Sequence, residues 1–141
     1  MKPILIAVLA CMTILAQSKD QLRQKFGEPV SETFLVRPGI TATASYAPNG
    51  KAAELVISPL NPSVIKSRST TLSRESVEAV IDELVPMSQR GKFVIGEFED
   101  IICEPANDCM GSSAHYENVT IYYNSSTKQG QITYAVVHWK K

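Results

Sequence analysis

Pro48-Asn49-Gly50 lies between two runs of alternating apolar and small polar residues, and this pattern constrains the fold more than any other feature of the chain. Upstream, Ile40, Ala42, Ala44 and Tyr46 alternate with Thr41, Thr43 and Ser45; downstream, Ala53, Leu55 and Ile57 keep the same period. A period of two puts every second side chain on one face of a strand. Asn and Gly accept positive φ at little cost, so the turn closes the two runs into an antiparallel hairpin. A chain that opens with such a hairpin builds a sheet, and at least one face of that sheet needs a cover.

The other elements follow from similar punctuation. Thr33 to Val36 precedes Arg37-Pro38-Gly39, and proline cannot donate to a ladder, so this segment reads as an edge segment or as a strand bent at a bulge. Ser18 and Gln21 have capping-box spacing, Leu22 and Phe26 share a helical face, and Gly27 with Pro29 stops the helix, which predicts a short helix over about residues 19–26. Ser73 caps a second helix, with Glu75 in its first turn and Leu72 placed to staple onto Val77. Val77, Val80, Ile81, Leu84 and Val85 form its apolar stripe, Pro86 ends it and Gly91 closes the next turn.

Phe93 to Ile102 reads as a strand with Gly96 as a bulge or close-approach point, followed by a cysteine-bearing loop to about Ala114. Val119, Ile121 and Tyr123 mark a further strand, and Asn124 to Gly130 a polar hairpin loop. In the last strand, Gln131 to Lys140, Ile132, Tyr134, Val136 and His138 alternate with Thr133, Ala135, Val137 and Trp139. Both faces are largely apolar, which predicts a central strand or one covered on two sides. The expected architecture is α+β: an antiparallel sheet of about five strands with one long and one short helix packed on one face. It occupies one domain over residues 17–141, and roughly 124 residues bury about two-thirds of their unfolded surface.

Residues 1–16 read as a signal peptide, with Met1-Lys2 as the positive end, Ile4 to Ala16 as the apolar run, and an alternative cleavage point after Ser18. The run is too short to span a bilayer. Val8-Leu9-Ala10-Cys11 has the form of a lipobox, which gives the alternative of a lipoprotein anchored at Cys11. Contact with a membrane is expected only if Cys11 is lipidated. The chain is therefore expected to be exported, either periplasmic or secreted. Fourteen basic residues balance fourteen acidic ones and are scattered, which argues against nucleic acid as a partner.

Export permits disulfides, and without Cys11 one even pair remains, Cys103 and Cys109. Closing that loop contributes about 2.4 kcal/mol on the chain-entropy estimate. Zinc ligands favour shorter spacings, so a metal site using His115 or His138 is a minor alternative and no cofactor is expected. A redox role is disfavoured, because Glu104 and Asp108 raise rather than lower a thiol pKa. Gly111-Ser112-Ser113 is not a nucleophile elbow, and Glu97 with Glu99 reads as an exposed acidic strand face, so no catalytic residue is assigned. Asn118 and Asn124 head glycosylation sequons that matter only in a eukaryotic source.

An interaction surface is the remaining reading. Its candidates are Glu104, Asn107 and Asp108 on the cysteine loop, with Tyr122 and Trp139 on strand faces opposite to Tyr123 and Tyr134. Leu22-Arg-Gln-Lys-Phe26-Gly27-Glu-Pro29 followed by a hairpin resembles the helix, Gly-x-Pro and strand unit of small lipoproteins of outer-membrane assembly, and of β-lactamase-inhibitor-protein repeats. Ser31 to Gly39, Asp82 to Pro86, Gln89 to Lys92 and the Cys103/Cys109 loop resemble a group of small exported bacterial proteins with no assigned activity. The reading is a non-catalytic exported binding domain whose partner is another envelope or surface protein. The alternatives are a small hydrolase-like or metal-dependent enzyme using His115 or His138, and a lipid-anchored structural envelope protein.

Overall fold

The computed structural model describes residues 18–60, 71–100, 109–126 and 131–141. Residues 1–16, Cys103, Glu104, Asn107 and Asp108 lie outside the described residues, and with them the expected signal peptide, the alternative Cys11 anchor and the expected disulfide. The described chain forms β1 (Ser31–Arg37), β2 (Ile40–Tyr46), β3 (Ala52–Pro59), β4 (Phe93–Asp100), β5 (Cys109–Tyr116), β6 (Val119–Ser126) and β7 (Ile132–Trp139). These make one sheet in the order β1-β2-β3-β7-β6-β5-β4, every neighbouring pair antiparallel. The helices are α1 (Lys19–Phe26), α2 (Arg74–Leu84) and the single turn α3 (Met87–Arg90).

Among the described residues seven strands replace the expected five, and no helix is long. Two segments account for the difference. Ser31–Arg37 is a full edge strand, bulged between Leu35 and Arg37 beside the Pro38 turn. Cys109–Tyr116 is a strand rather than the end of a loop, although Gly111, Ser112, Ser113 and Ala114 have weak strand propensity. Pairing on both sides, to β4 and to β6, holds it extended. Gly96 is not a bulge; the irregularity in β4 lies between Phe93 and Ile95.

The core sits on one face of the sheet and follows from register. Ala42 pairs with Ile57, Ile57 with Ala135, and Ala135 with Tyr123; Ala44 pairs with Leu55, Leu55 with Val137, and Val137 with Ile121. Directly paired residues share a face, and all of these are buried. Over them α2 lays Val77, Val80 and Ile81, with Val85 just beyond its end, whereas Leu84, expected in the stripe, stands exposed. β7 is the central strand. A bulge opposite Asn124 and Ser125 shifts its alternation, so Ile132 joins Ala135 and Val137 in the core while Tyr134 points out from the other face. Ile132 also bridges to Leu72, by backbone bonds of 2.8 and 2.7 Å, and so ties the start of α2 to the sheet.

The strap after α2 is held by Arg90, whose side chain is buried. Its Nε donates to the Val85 carbonyl at 2.6 Å and its Nη2 pairs with Asp82 Oδ1 at 2.5 Å. The guanidinium also lies 5.7 Å from the Tyr116 ring centroid. One side chain thus caps the end of α2 and docks it beside β5. Gly91 follows at φ +76, where a Cβ would sit 2.8 Å from Glu117 atoms. Arg90→Ala is expected to cost about 2–3 kcal/mol in urea unfolding by orphaning the Val85 carbonyl. Gly91→Ala is expected to cost about 1–3 kcal/mol through strain. An exposed surface substitution such as Lys51→Ala is expected to stay within about 0.5 kcal/mol of the unchanged chain in the same measurement.

Candidate interaction surface

α1 forms as its sequence dictates. Ser18 Oγ accepts from the Gln21 N–H at 3.2 Å, Gln21 Oε1 accepts from the Ser18 N–H at 2.9 Å, and Gly27 at φ +87 ends the helix. Its packing is unusual, because no α1 residue is buried. Charge fastens it to the sheet edge instead. Glu32 of β1 receives Lys19 Nζ at 2.8 Å, Arg23 Nη2 at 3.3 Å and the Tyr46 hydroxyl at 3.3 Å. Arg23 Nε also lies 3.4 Å from Glu28. Because Glu32 pairs with Ala44 in register, α1 is held on the same face of the sheet as the core.

The apolar side of this unit is left open. Leu22, Phe26, Val30 and Phe34 are all exposed, Phe26 by 71% and Val30 by 82%. They line a groove of about 720 Å³ between α1 and β1, with Lys19, Arg23, Glu28 and Glu32 around it. A second concavity of about 620 Å³ continues past Val30 toward Tyr46, Pro48 and Gly50. Scattered single apolar side chains need no explanation, but a contiguous run lining a groove marks an interaction site. The sequence signal was present: Phe34 and Leu35 are adjacent in one strand, so at a sheet edge one of them has no covered face to enter. Glu32, the anchor of the unit, carries no motif that would single it out.

The hydrogen bond from Lys19 to Glu32, with the positive charges of Lys19 and Arg23, holds the Glu32 carboxyl below the usual carboxylate range despite its partial desolvation. Desolvation first, then the nearby Glu32 charge, push the Tyr46 hydroxyl upward. A carboxyl with a lowered folded-state pKa stabilises the docked form above the usual carboxylate range and loses that contribution as pH falls through its own pKa. Amide exchange of α1 is therefore expected to accelerate relative to α2 as pH drops below that range, after correction for intrinsic exchange. Glu32→Gln is expected to show the accelerated rate already at neutral pH.

The opposite face of the sheet carries both histidines. His115 Nε2 lies 3.1 Å from Ser113 Oγ and 3.3 Å from Glu97 Oε2, and its Nδ1 lies 3.2 Å from Thr120 Oγ1. His138 Nδ1 lies 3.3 Å from Glu54 Oε2. A nucleophile, base and acid relay needs hydroxyl and carboxylate on different ring nitrogens. Ser113 and Glu97 both meet Nε2, so the buried Ser113 does not form that relay, whereas the Thr120 hydroxyl on Nδ1 stands across the ring from Glu97. His138 and His115 pair with Thr120 from either side, which sets them two strand spacings apart, about 10 Å. Among the described residues no three His, Cys, Asp or Glu side chains gather as metal ligands.

Of the sequence-predicted surface residues, Tyr122 and Trp139 fall among the described residues, and these two do not converge. Tyr122 pairs with Val136 and shares its face with Tyr134, while Trp139 pairs with Val119 on the core face and packs there against buried residues. Tyr122 and Trp139 thus lie on opposite faces, because the β7 alternation places Trp139 with Ala135 and Val137. Cys109 begins β5. Asn118 is exposed in the β5–β6 turn and its Nδ2 donates to the Gln89 carbonyl at 3.0 Å, whereas Asn124 is buried.

No protein-family model matches the chain, and no curated protein matches it. Among solved structures, a DUF4309 family protein from Bacillus subtilis aligns over 93% of this chain and 84% of its own. The sequence identity is 12% and the TM-score 0.39, and a likeness at that level transfers nothing to this chain.

Proposed function

We propose that this chain is an exported, non-catalytic binding domain whose partner is another envelope or cell-surface protein. One observation carries the reading: the α1–β1 unit is assembled by ion pairs and keeps Leu22, Phe26, Val30 and Phe34 out of the core. Those side chains line a groove at an open sheet edge. The chemistry that fits is an extended segment with apolar side chains at alternate positions, able to add its backbone to β1 while the charged rim orients it. The apolar N-terminal run and the resemblance to small exported proteins support the envelope as the place where such a partner is met.

Affinity capture from the native envelope tests the proposal, using the purified chain, a Phe26→Ser/Val30→Ser variant and a His115→Ala variant. The unchanged chain and His115→Ala are expected to recover the same protein, and the groove variant to bind it about tenfold to a hundredfold more weakly. Equal binding by the groove variant, or loss on His115→Ala alone, would refute the groove as the site.

A further inference from the structure

On the β4 side of α2 the core face carries a groove of about 490 Å³ that ends at Tyr123 of β6. Register shows how it is built. Phe93, Gly96 and Phe98 of β4 lie on the core face, opposite Tyr116, Ala114 and Ser112 of β5. The small residues Gly96, Ala114 and Ser112 form a floor, and the two phenylalanines, both exposed, stand beside it as walls. Phe93 is set edge-on to Tyr116, with ring centroids 5.6 Å apart and planes at 75°. A Cβ on Gly96 would meet the Ser113 carbonyl at 3.6 Å and a Phe93 ring atom at 3.7 Å, both ordinary contacts. Nothing inside the protein therefore requires glycine there, and its missing side chain keeps the floor open.

Tyr123 also lines a polar cavity of about 270 Å³, together with Glu78, Asp82, Arg90 and Tyr116, so the groove and the cavity meet at its side chain. Tyr123 is only 8% exposed, yet among the described residues its hydroxyl has no hydrogen-bond partner. A buried polar group left unpaired in this way asks for an explanation. Burial first, and then Glu78, push the hydroxyl up to about 12, so it stays a donor. Arg90 is the second donor. Its Nε and Nη2 are taken by the Val85 carbonyl and Asp82, but among the described residues its Nη1 meets only the Met87 sulfur at 3.6 Å, a weak acceptor. The charges of this pair are unequally placed, with the Arg90 side chain 6% exposed and that of Asp82 67% exposed. The buried charge is the positive one. Arg74 bounds the groove from above the Tyr123 ring, and its pair with Glu78 is loose at 3.5 Å.

The inner end of this site thus offers donors without acceptors to match, and the outer end offers apolar surface. We propose that it binds a small amphiphile with a single carboxylate, whose head accepts from Tyr123 and Arg90 while its apolar body lies on the floor between Phe93 and Phe98. A cationic head would face the buried guanidinium, and a body with no acceptor would leave the Tyr123 hydroxyl unpaired. From Phe93 to Phe98 the strand spans about 17 Å, which limits the body to a short chain or one or two rings. The site lies at the margin opposite the α1–β1 groove and is independent of it.

Titration calorimetry of the full chain with octanoate tests the inference, with octyltrimethylammonium as the cationic control. Octanoate is expected to bind with a dissociation constant on the order of 100 μM, and the ammonium at least about tenfold more weakly. Tyr123→Phe, which removes only the hydroxyl, and Gly96→Leu, which fills the floor, are each expected to weaken octanoate about tenfold or more, with far-UV circular dichroism unchanged. His115→Ala and Phe26→Ser/Val30→Ser are expected to keep the affinity of the unchanged chain. Amide resonances of Gly96, Ala114 and Tyr123 in the unchanged chain are expected to shift as octanoate is added, a reading of the site that needs no variant. Absence of binding, shifts confined to α1 and β1, or full affinity in either Tyr123→Phe or Gly96→Leu would overturn the site. Equally tight binding of the ammonium would overturn the carboxylate head.

Discussion

The fold depends on one contact layer, the stripe Val77, Val80, Ile81 and Val85 set over the paired rows Ala42-Ile57-Ala135-Tyr123 and Ala44-Leu55-Val137-Ile121. Burying those side chains supplies most of the driving force, at about 1.5–3 kcal/mol for each large aliphatic group. Everything near the layer is arranged to keep α2 in place. Leu72 ties its start to Ile132, and Arg90 fixes its end through the Val85 carbonyl, Asp82 and the Tyr116 ring. The proline at 86 and the glycine at 91 then turn the chain tightly enough to begin β4.

A geometric mismatch follows from that arrangement. Seven strands span about 29 Å across the sheet, while an eleven-residue helix is only about 16 Å long and about 10 Å thick. One such helix covers the middle strands and cannot cover the margins. The two margins are uncovered in different ways. At β1 a short helix is present, but it is held by Glu32 and its cations, so the apolar side of the unit stays available. At β4 no helix among the described ones lies over Phe98, and a groove of about 490 Å³ opens between it, the small residues Gly96, Ser112 and Ala114, and Tyr123. Tyr123 itself is pushed up to about 12, first by burial and then by Glu78, while Arg74 lies 4.8 Å over its ring.

The sequence disclosed what local chemistry decides. The Asn49-Gly50 hairpin, the Ser18 and Ser73 caps, the end of α1 at Gly27 and the central place of β7 could all be read from residue types and spacing. What it concealed was set by partners distant in the chain. β5 looks like a loop because Gly111 to Ala114 have little strand preference, and only flanking β4 and β6 make it a strand. The bulge in β7 moves Ile132 inward, and the β6–β7 register puts Trp139 and Tyr122 on opposite faces, which neither strand's own alternation can foresee. Arg90 looks like a surface cation in sequence, yet it is 5% exposed, because the tight turn folds it back on α2. The interaction surface escaped the count of tyrosines and tryptophan for a related reason: its members are two phenylalanines, a leucine and a valine around an ion cluster whose partners come from α1, β1 and β2.

Residue-resolved amide exchange under native conditions is the most direct measurement of the central claim, that one helix secures the middle strands and leaves both margins energetically separate. The account predicts that α2, β3, β7 and β6 open only with global unfolding. It predicts that α1 and the outer amides of β1 and β4 open at free energies several kcal/mol lower. Protection of α1 equal to that of α2 would contradict it, because an eight-residue helix held by ion pairs alone cannot share the stability of the core.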